Sequence, residues 1–189
     1  RRTHASQFLT EVQGGSDVGA VETRAVPAGK GWRLYGDKWF CSNVDAEVIL
    51  ALARLPDGAP GTKGLGLFLV PRDLPTGQRN AIVIHRLKDK LGTRSMPTGE
   101  VTFDGAAAQL VGEPTRGFKQ MMSMVNMSRL YNSVVSVAAM RRAVWEATSY
   151  LEARDTFGGK AADHPLNREA LANLAAEQLG ALHLVLRTA

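Results

Sequence analysis

From Gly117 through Arg154 the chain runs without a proline and without an internal glycine, and this constrains the fold more than any other feature of its 189 residues. Apolar positions such as Met121, Met124, Val125, Met127 and Leu130 recur along it at helical intervals. Gly117 stands at its start and Gly158-Gly159 lie beyond its end. The stretch therefore predicts one long helix. Residues 164–189, HPLNREALANLAAEQLGALHLVLRTA, predict a second. Pro165 suits its first turn, and Leu171, Leu174 and Leu182 fall on one stripe. Two long amphipathic helices do not bury both apolar faces alone, so more helices are expected to cover them, from further chain or from a partner subunit. Most of the six methionines lie on the first helix, where they read as flexible core filler.

The chain before this point, to about Gly112, has the opposite character. Short apolar runs are bounded by Gly, Pro, Asn and Asp. GWRLYGDKWFCSN (31–43) reads as a strand, a turn at Gly36-Asp37 and a second strand. EVILALARL, LGLFLVP, AIVIHRL and GEVTFDG read as four more. Strands at this spacing, with no long helical period between them, predict an antiparallel barrel or sandwich. The fold class expected is α+β: a β domain over 1–112, followed by two helices of an incomplete bundle over 113–189. The glycines of GTKGLGLF (Gly61, Gly64, Gly66) do not form a dinucleotide fingerprint, because a strand rather than a helix follows them; they read as a hairpin connection.

Hydrophobic content of 44% and charged content of 22% are those of a folded globular chain. Cys41 is the single cysteine, so no internal disulfide forms and an oxidising compartment is not indicated. It and four scattered histidines lack metal-ligand spacing, so no metal is expected. No apolar run approaches the roughly 20 residues that cross a bilayer. The start, RRTHASQFLTE, lacks the apolar core of a secretory signal, and a cytoplasmic location is expected. It also lacks a methionine and reads as the middle of a segment, so a fragment is expected. The net charge of +5, with a pI of about 9.7, permits nucleic acid, anionic lipid or a phosphorylated ligand. Without a block of like charges or interleaved aromatics, it does not specify a nucleic-acid surface.

Two stretches carry candidate chemistry. TEVQGGSD (Thr10–Asp17) places two hydroxyls, two carboxylates and a double glycine in one octet. By itself this reads first as a surface turn; the other reading is a loop whose glycines let the backbone approach a ligand. In KWFCSN, strand alternation sends Phe40 and Ser42 one way and Trp39 and Cys41 the other. Phe40 offers a flat apolar face and Ser42 a hydroxyl about 7 Å further along. That pair suits a planar heteroaromatic ring, and also an aromatic packed in a sheet with a serine at a strand end.

The order of the segments resembles the acyl-CoA dehydrogenase family of flavoproteins. LTEVQGGSD, GWRLYGDKWFCSN, RLKDKLGTRSMPTGEVTFDG, GFKQMM and ARDTFGGK match, in sequence, that family's TExxxGSD, GxKxWITN, KxGxRSxxT, GEGF and RxxFGK patterns. Within the family the DKWFCSN and KLGTRSMPTGEVTF forms look closest to the alkylation-resistance subgroup. The resemblance implies a middle β domain and the first two helices of a carboxy-terminal helical domain. It implies FAD, held by Leu9, Thr10 and Gly15 through backbone groups and the Thr10 hydroxyl. Ser16 would lie near the phosphates or the acyl-CoA. Phe40 stands where Trp usually covers the isoalloxazine, Ser42 where Thr usually donates to the flavin N5 edge, and Cys41 lies between them in the same contact strand. Arg154, Thr156 and Phe157 match the segment that reaches the FAD of a neighbouring subunit, with His164 nearby although Pro165 replaces a frequent Gln. Asn126 and Arg129 fall where acyl-CoA is bound, with Asn126 in place of the usual acid. Glu11 and Asp17 are expected to fix the loop through bonds to backbone.

The reaction implied is FAD-dependent α,β-dehydrogenation at the CH–CH group of acyl-CoA thioesters, in fatty acid metabolism, within a homodimer or homotetramer and with an electron-transfer acceptor. Ser128 stands where some members carry the base, and the commoner position lies beyond Ala189. No catalytic residue is therefore assigned, and the fragment is expected to be inactive by itself. The alternative is a DNA-associated flavoprotein of the alkylation response with little or no dehydrogenase activity, whose nucleic-acid contact would belong to the full-length protein. A third reading is a degenerate member kept for assembly.

Overall fold

The run VILALAR becomes β4 (Val48–Arg54), a strand with both faces covered, since Ile49, Ala51, Leu52 and Ala53 are all buried. Such a continuous apolar run suits a strand that no water reaches. It belongs to the computed structural model of the chain, which describes residues 3–189. Around β4 stand β1 (Ala5–Phe8), β2 (Arg24–Ala28), β3 (Gly31–Ser42), β5 (Leu65–Pro71), β6 (Ile82–Leu87) and β7 (Thr98–Val111). β7 is longer than GEVTFDG alone predicts and pairs with β3, β5 and β6. The path of pairings runs β4–β2–β3–β7–β5 and returns to β4.

The sheet is mixed, not wholly antiparallel as its spacing predicts. β1 runs parallel to β4, from Ala5 opposite Val48 to Phe8 opposite Ala51. The β2–β3 hairpin lies between them in sequence and supplies the long connection that a parallel pair requires. The core gathers Phe8, Leu34, Cys41, Ile49, Phe68, Val70, Val101 and Phe103, with the rings of Phe8 and Phe103 stacked at 6.3 Å. The GTKG segment is a short turn leading into β5, which pairs antiparallel with β4, so the hairpin connection is as expected.

The turn expected at Gly36-Asp37 is absent, because β3 continues straight through it. Gly36 pairs with Phe103 across the ladder, with a register shift just before it between Leu34 and Tyr35. Its φ of 139° is open only to glycine, and a Cβ there would stand 2.7 Å from Thr23 Cα. The glycine serves a bulge and a close backbone approach rather than a reversal.

The chain divides into two compact units, the first ending at Ser123 and the second spanning Met124–Ala189. The first long helix, α1 (Gly117–Ala153), begins in one and continues in the other. Gly117 starts it against β5, where a Cβ would lie 2.3 Å from both Gly66 C and Leu67 N. Met121, one turn on, is fully buried. The second unit adds a small hairpin of β8 (Asp155–Thr156) and β9 (Gly159–Lys160), then α2 (Pro165–Thr188). His164 stands just before α2 without a side-chain bond to its amides, Pro165 takes its first position, and the Asn167 amide donates to Ala161 O at 2.8 Å. Both helices match the prediction in place and length, and Met127, Tyr131, Trp145, Leu166 and Leu184 remain exposed on them.

Candidate cofactor site

The TEVQGGSD bend lies beside the far end of β3, joined to it by a hydrogen bond from Trp39 N to Thr10 O of 2.9 Å. The bend closes on itself, with Gly14 N donating to Glu11 O at 3.0 Å. Gly15 packs so tightly on Thr10 that a Cβ would stand 2.7 Å from Thr10 Oγ1. Leu9 and Thr10 are half-buried, while Gly15 and Ser16 are exposed. Asp17 accepts from Gly19 N at 3.0 Å and caps a short turn, the loop-fixing role expected of it.

Glu11 does more than fix the loop. It is 3% exposed and accepts hydrogen bonds from Glu22 N at 2.7 Å, Thr23 N at 3.1 Å, Gln13 Nε2 at 2.9 Å and the Thr23 hydroxyl. Lys38, itself 1% exposed, donates to Glu11 Oε1 at 2.7 Å. The same ammonium donates to Leu52 O on β4 at 3.0 Å and reaches Leu9 O at 3.4 Å. One buried cation thus ties the bend, β3 and β4 together. Burial by itself would raise the Glu11 carboxyl, but Lys38, Thr23 and the Glu22 amide hold it below the usual range. Burial pushes the Lys38 ammonium down, with Glu11 offsetting part of the effect.

Strict alternation would turn Lys38 outward with Phe40 and Ser42. The register shift explains why it does not. Lys38 faces Val101 and Cys41 faces Gly99, so one extra residue is accommodated on β3 between them. Lys38 and Cys41 point into the core, while Phe40 is 55% exposed and Ser42 is exposed next to it. The side chains of Phe40 and Ser42 therefore share the outer surface beside the bend. Cys41, expected among the cofactor contacts, buries its side chain among the core residues, where burial pushes the thiol up to about 12. Only its backbone is left to meet a ligand on the outer face.

Lys88 stands next to this surface and was not singled out by the sequence. Its ammonium lies 3.3 Å from the centroid of the Trp39 ring and 4.7 Å from that of Phe40, and it donates to Glu100 at 2.7 Å. The two rings meet edge to face at 82° with centroids 6.4 Å apart. Its spacing carried no signal, because Lys88 meets Trp39 only through the pairing of β6 with β7 and of β7 with β3.

The remaining predicted residues belong to the second unit. Arg129 Nη1 donates to Asn126 Oδ1 at 3.2 Å, one helical turn apart on an exposed face of α1. Arg154 Nη1 donates to the Tyr150 hydroxyl at 3.0 Å, and Thr156 Oγ1 lies 2.8 Å from His164 Nε2. Phe157 is 99% exposed at the tip of the β8–β9 hairpin, with its ring 5.7 Å from that of His164.

Residues 6–106 match the model of the acyl-CoA dehydrogenase middle domain, and residues 115–189 match that of the acyl-CoA dehydrogenase C-terminal domain. The chain belongs to the acyl-CoA dehydrogenase family. It is 40% identical over 191 residues to acyl-CoA dehydrogenase family member 11 of Caenorhabditis elegans, covering 98% of this chain and 31% of that protein. It is 41% identical over 182 residues to AidB of Escherichia coli (strain K12), covering 96% of this chain and 32% of that protein. The crystal structure of C. elegans ACDH-11 in complex with C11-CoA superposes with a TM-score of 0.88 at 39% identity, over 97% of this chain and 32% of that one. The chain thus spans about a third of the length of these curated relatives. Among the described residues no helix is long and apolar enough to cross a membrane.

Proposed function

We propose that this acyl-CoA dehydrogenase chain supplies the flavin-ring support of an FAD-dependent enzyme that dehydrogenates acyl-CoA thioesters between Cα and Cβ. The observation that carries the reading is the Trp39–Thr10 hydrogen bond, which sets the TEVQGGSD bend against the exposed Phe40 and Ser42. The residues present fit a flavin. Phe40 presents an apolar face on the outer surface, and Ser42 presents a hydroxyl on the same side. Gly15 lets the Thr10 side chain pack against the bend's own backbone more closely than any Cβ would allow. FAD, when bound, accepts the substrate hydrogen as hydride.

The chain's own part is to bind and orient. Phe40 would cover the ring face, Ser42 would donate at the ring's edge, and Leu9, Thr10, Gly15 and Ser16 would line the polar margin. The buried Lys38–Glu11 pair keeps the bend in register with β3. In an assembled homodimer or homotetramer, Arg154 would take the pyrophosphate of a neighbouring FAD by charge-assisted bonds, with Thr156 and Phe157 beside it. Arg129 and Asn126 face the CoA moiety. An electron-transfer acceptor would take the electrons onward, and the protein works in the cytoplasm. No residue here is assigned as the base. The C11-CoA bound to the C. elegans relative and the other relatives named as acyl-CoA dehydrogenases support this reading over the alkylation-response alternative.

The visible absorption spectrum of the intact protein tests it, before and after a panel of acyl-CoA thioesters. A flavin band that bleaches with substrate is expected. Protein that purifies colourless and takes up no added FAD overturns the reading.

A further inference from the structure

We infer that Lys88 is a positioning residue for the cofactor platform, its ammonium holding Phe40 at the angle a flavin ring stacks on. This rests on the reading of Phe40 as the ring that covers flavin.

The geometry is unusual for a surface lysine. Its side chain is only 12% exposed, and its ammonium is shared by two aromatic faces, at 3.3 Å from the Trp39 centroid and 4.7 Å from Phe40. Both distances lie within the range where a cation is attracted to a ring quadrupole. The cation is fixed from behind. Glu100 accepts from Lys88 Nζ at 2.7 Å and from Arg86 Nε at 2.7 Å, so two cations share one carboxylate and the ammonium keeps charge to direct at the rings. The Lys88 amide donates to Thr98 O at 2.7 Å, opposite the Ser42 end of β3, which anchors its backbone as well.

The bulge supplies the need for such a device. By turning Lys38 and Cys41 inward it leaves Trp39 and Phe40 as neighbours at the outer surface, edge to face. A half-exposed phenylalanine at a strand end, with solvent on one side, has several staggered rotamers open to it. A cation sitting on both rings selects one. The preorganised ring then loses little rotamer freedom when a flat ligand arrives. Arginine would serve as well, since its planar guanidinium also stacks on aromatic faces; a methionine of similar length would fill the space without the charge.

The experiment uses the intact FAD-loaded protein. Lys88→Met is expected to weaken FAD binding about tenfold, the effect of losing one partly desolvated cation–π contact, and to shift the visible flavin band. The thermal midpoint of the apoprotein is expected to stay near the wild-type value. Lys88→Arg, which keeps a cation over the two rings, is expected to restore both affinity and band position. Phe40→Ala serves as the arm that tests the platform itself. If Phe40→Ala weakens FAD while Lys88→Met leaves affinity within about twofold and the band unmoved, the inference about Lys88 is wrong and the platform stands. If Phe40→Ala also leaves FAD binding untouched, Phe40 is not the flavin-facing ring and both fall.

Discussion

Lys38 Nζ and Glu11 Oε1 lie 2.7 Å apart with neither residue more than 3% exposed, and between them they tie the TEVQGGSD bend to β3 and β4. A buried ion pair with its lone pairs and protons otherwise satisfied gains little net stability, yet removing one partner leaves a charge stranded without water. Lys38→Met is expected to destabilise the intact protein by about 3–5 kcal/mol. The double variant Lys38→Met, Glu11→Gln is expected to recover a large part of that loss. Urea unfolding of the three proteins checks it; a double variant no more stable than Lys38→Met would show that the pair's cost is not electrostatic.

The same pair gives a pH dependence with a definite sign. Glu11 has a carboxyl held below its ordinary value in the folded state. Such a group adds stability that is present above the unfolded pKa and is lost as pH falls through the folded one. Unfolding free energy is therefore expected to fall on acidification below about pH 4, where ordinary carboxyls titrate. In Glu11→Gln that fall is expected to be shallower by one proton's share of the slope. Urea titrations at several pH values measure both slopes, and equal slopes would remove Glu11 from the account.

Ser42 separates ligand effects from folding effects. It is exposed at the end of β3, so truncating its hydroxyl leaves no buried group unpaired. Ser42→Ala is expected to leave the thermal midpoint unchanged and to weaken FAD retention by about 0.5–1.5 kcal/mol, the worth of one hydrogen bond. Equilibrium dialysis of FAD against both proteins reads it, and equal retention would take Ser42 away from the flavin edge.

The parts of this molecule that repeat locally were legible in the residues. The helical spacing of Met121, Met124, Val125 and Leu130 located α1, Pro165 marked the first turn of α2, and alternation along KWFCSN put Phe40 and Ser42 outward and Cys41 inward, though the bulge leaves Trp39 beside Phe40 and not inward with Cys41 as alternation predicts. What escaped depends on pairing partners far away in sequence. Gly36 looked like a reversal because glycine signals both turns and bulges, and only the approach of Thr23 decides between them. The inward turn of Lys38 carried no signal in the residues, because an extra residue in the β3 register is invisible to a period of two. The parallel pairing of β1 with β4 is set by the β2–β3 crossover rather than by anything in ASQF itself. Lys88 reaches Trp39 through two successive strand pairings, so no window of sequence contains both.

Gly117 is where the first helix meets the sheet, and the fit there allows no side chain. A Cβ would stand 2.3 Å from the backbone at Gly66 and Leu67, atoms that move only if β5 moves. Gly117→Ala is expected to lower stability by about 1–3 kcal/mol through overpacking, despite alanine's better helix propensity. A midpoint in urea equal to or above wild type would mean that the helix start shifts freely.

Phe157 sits in the two-residue loop of the β8–β9 hairpin, with φ of 49° there and 82° at Gly158. Positive φ at both positions is the primed turn that suits a twisted hairpin, and it favours Asn-Gly, not Phe-Gly. A bulky residue held in that region stores strain of order 1–3 kcal/mol, and the ring is 99% exposed, so packing within the described residues offsets little of it. Strain retained for no gain in folding suggests that the ring is kept for what it touches once the protein is assembled. Phe157→Asn is accordingly expected to raise the thermal stability of the apoprotein by about 1 kcal/mol, since the backbone conformation becomes natural for the residue. The same substitution is expected to weaken FAD retention in the assembled protein. Calorimetry of the apoprotein and FAD release from the holoprotein read the two effects separately, and a variant that gains stability while holding FAD as tightly as wild type would leave the strained phenylalanine without this role.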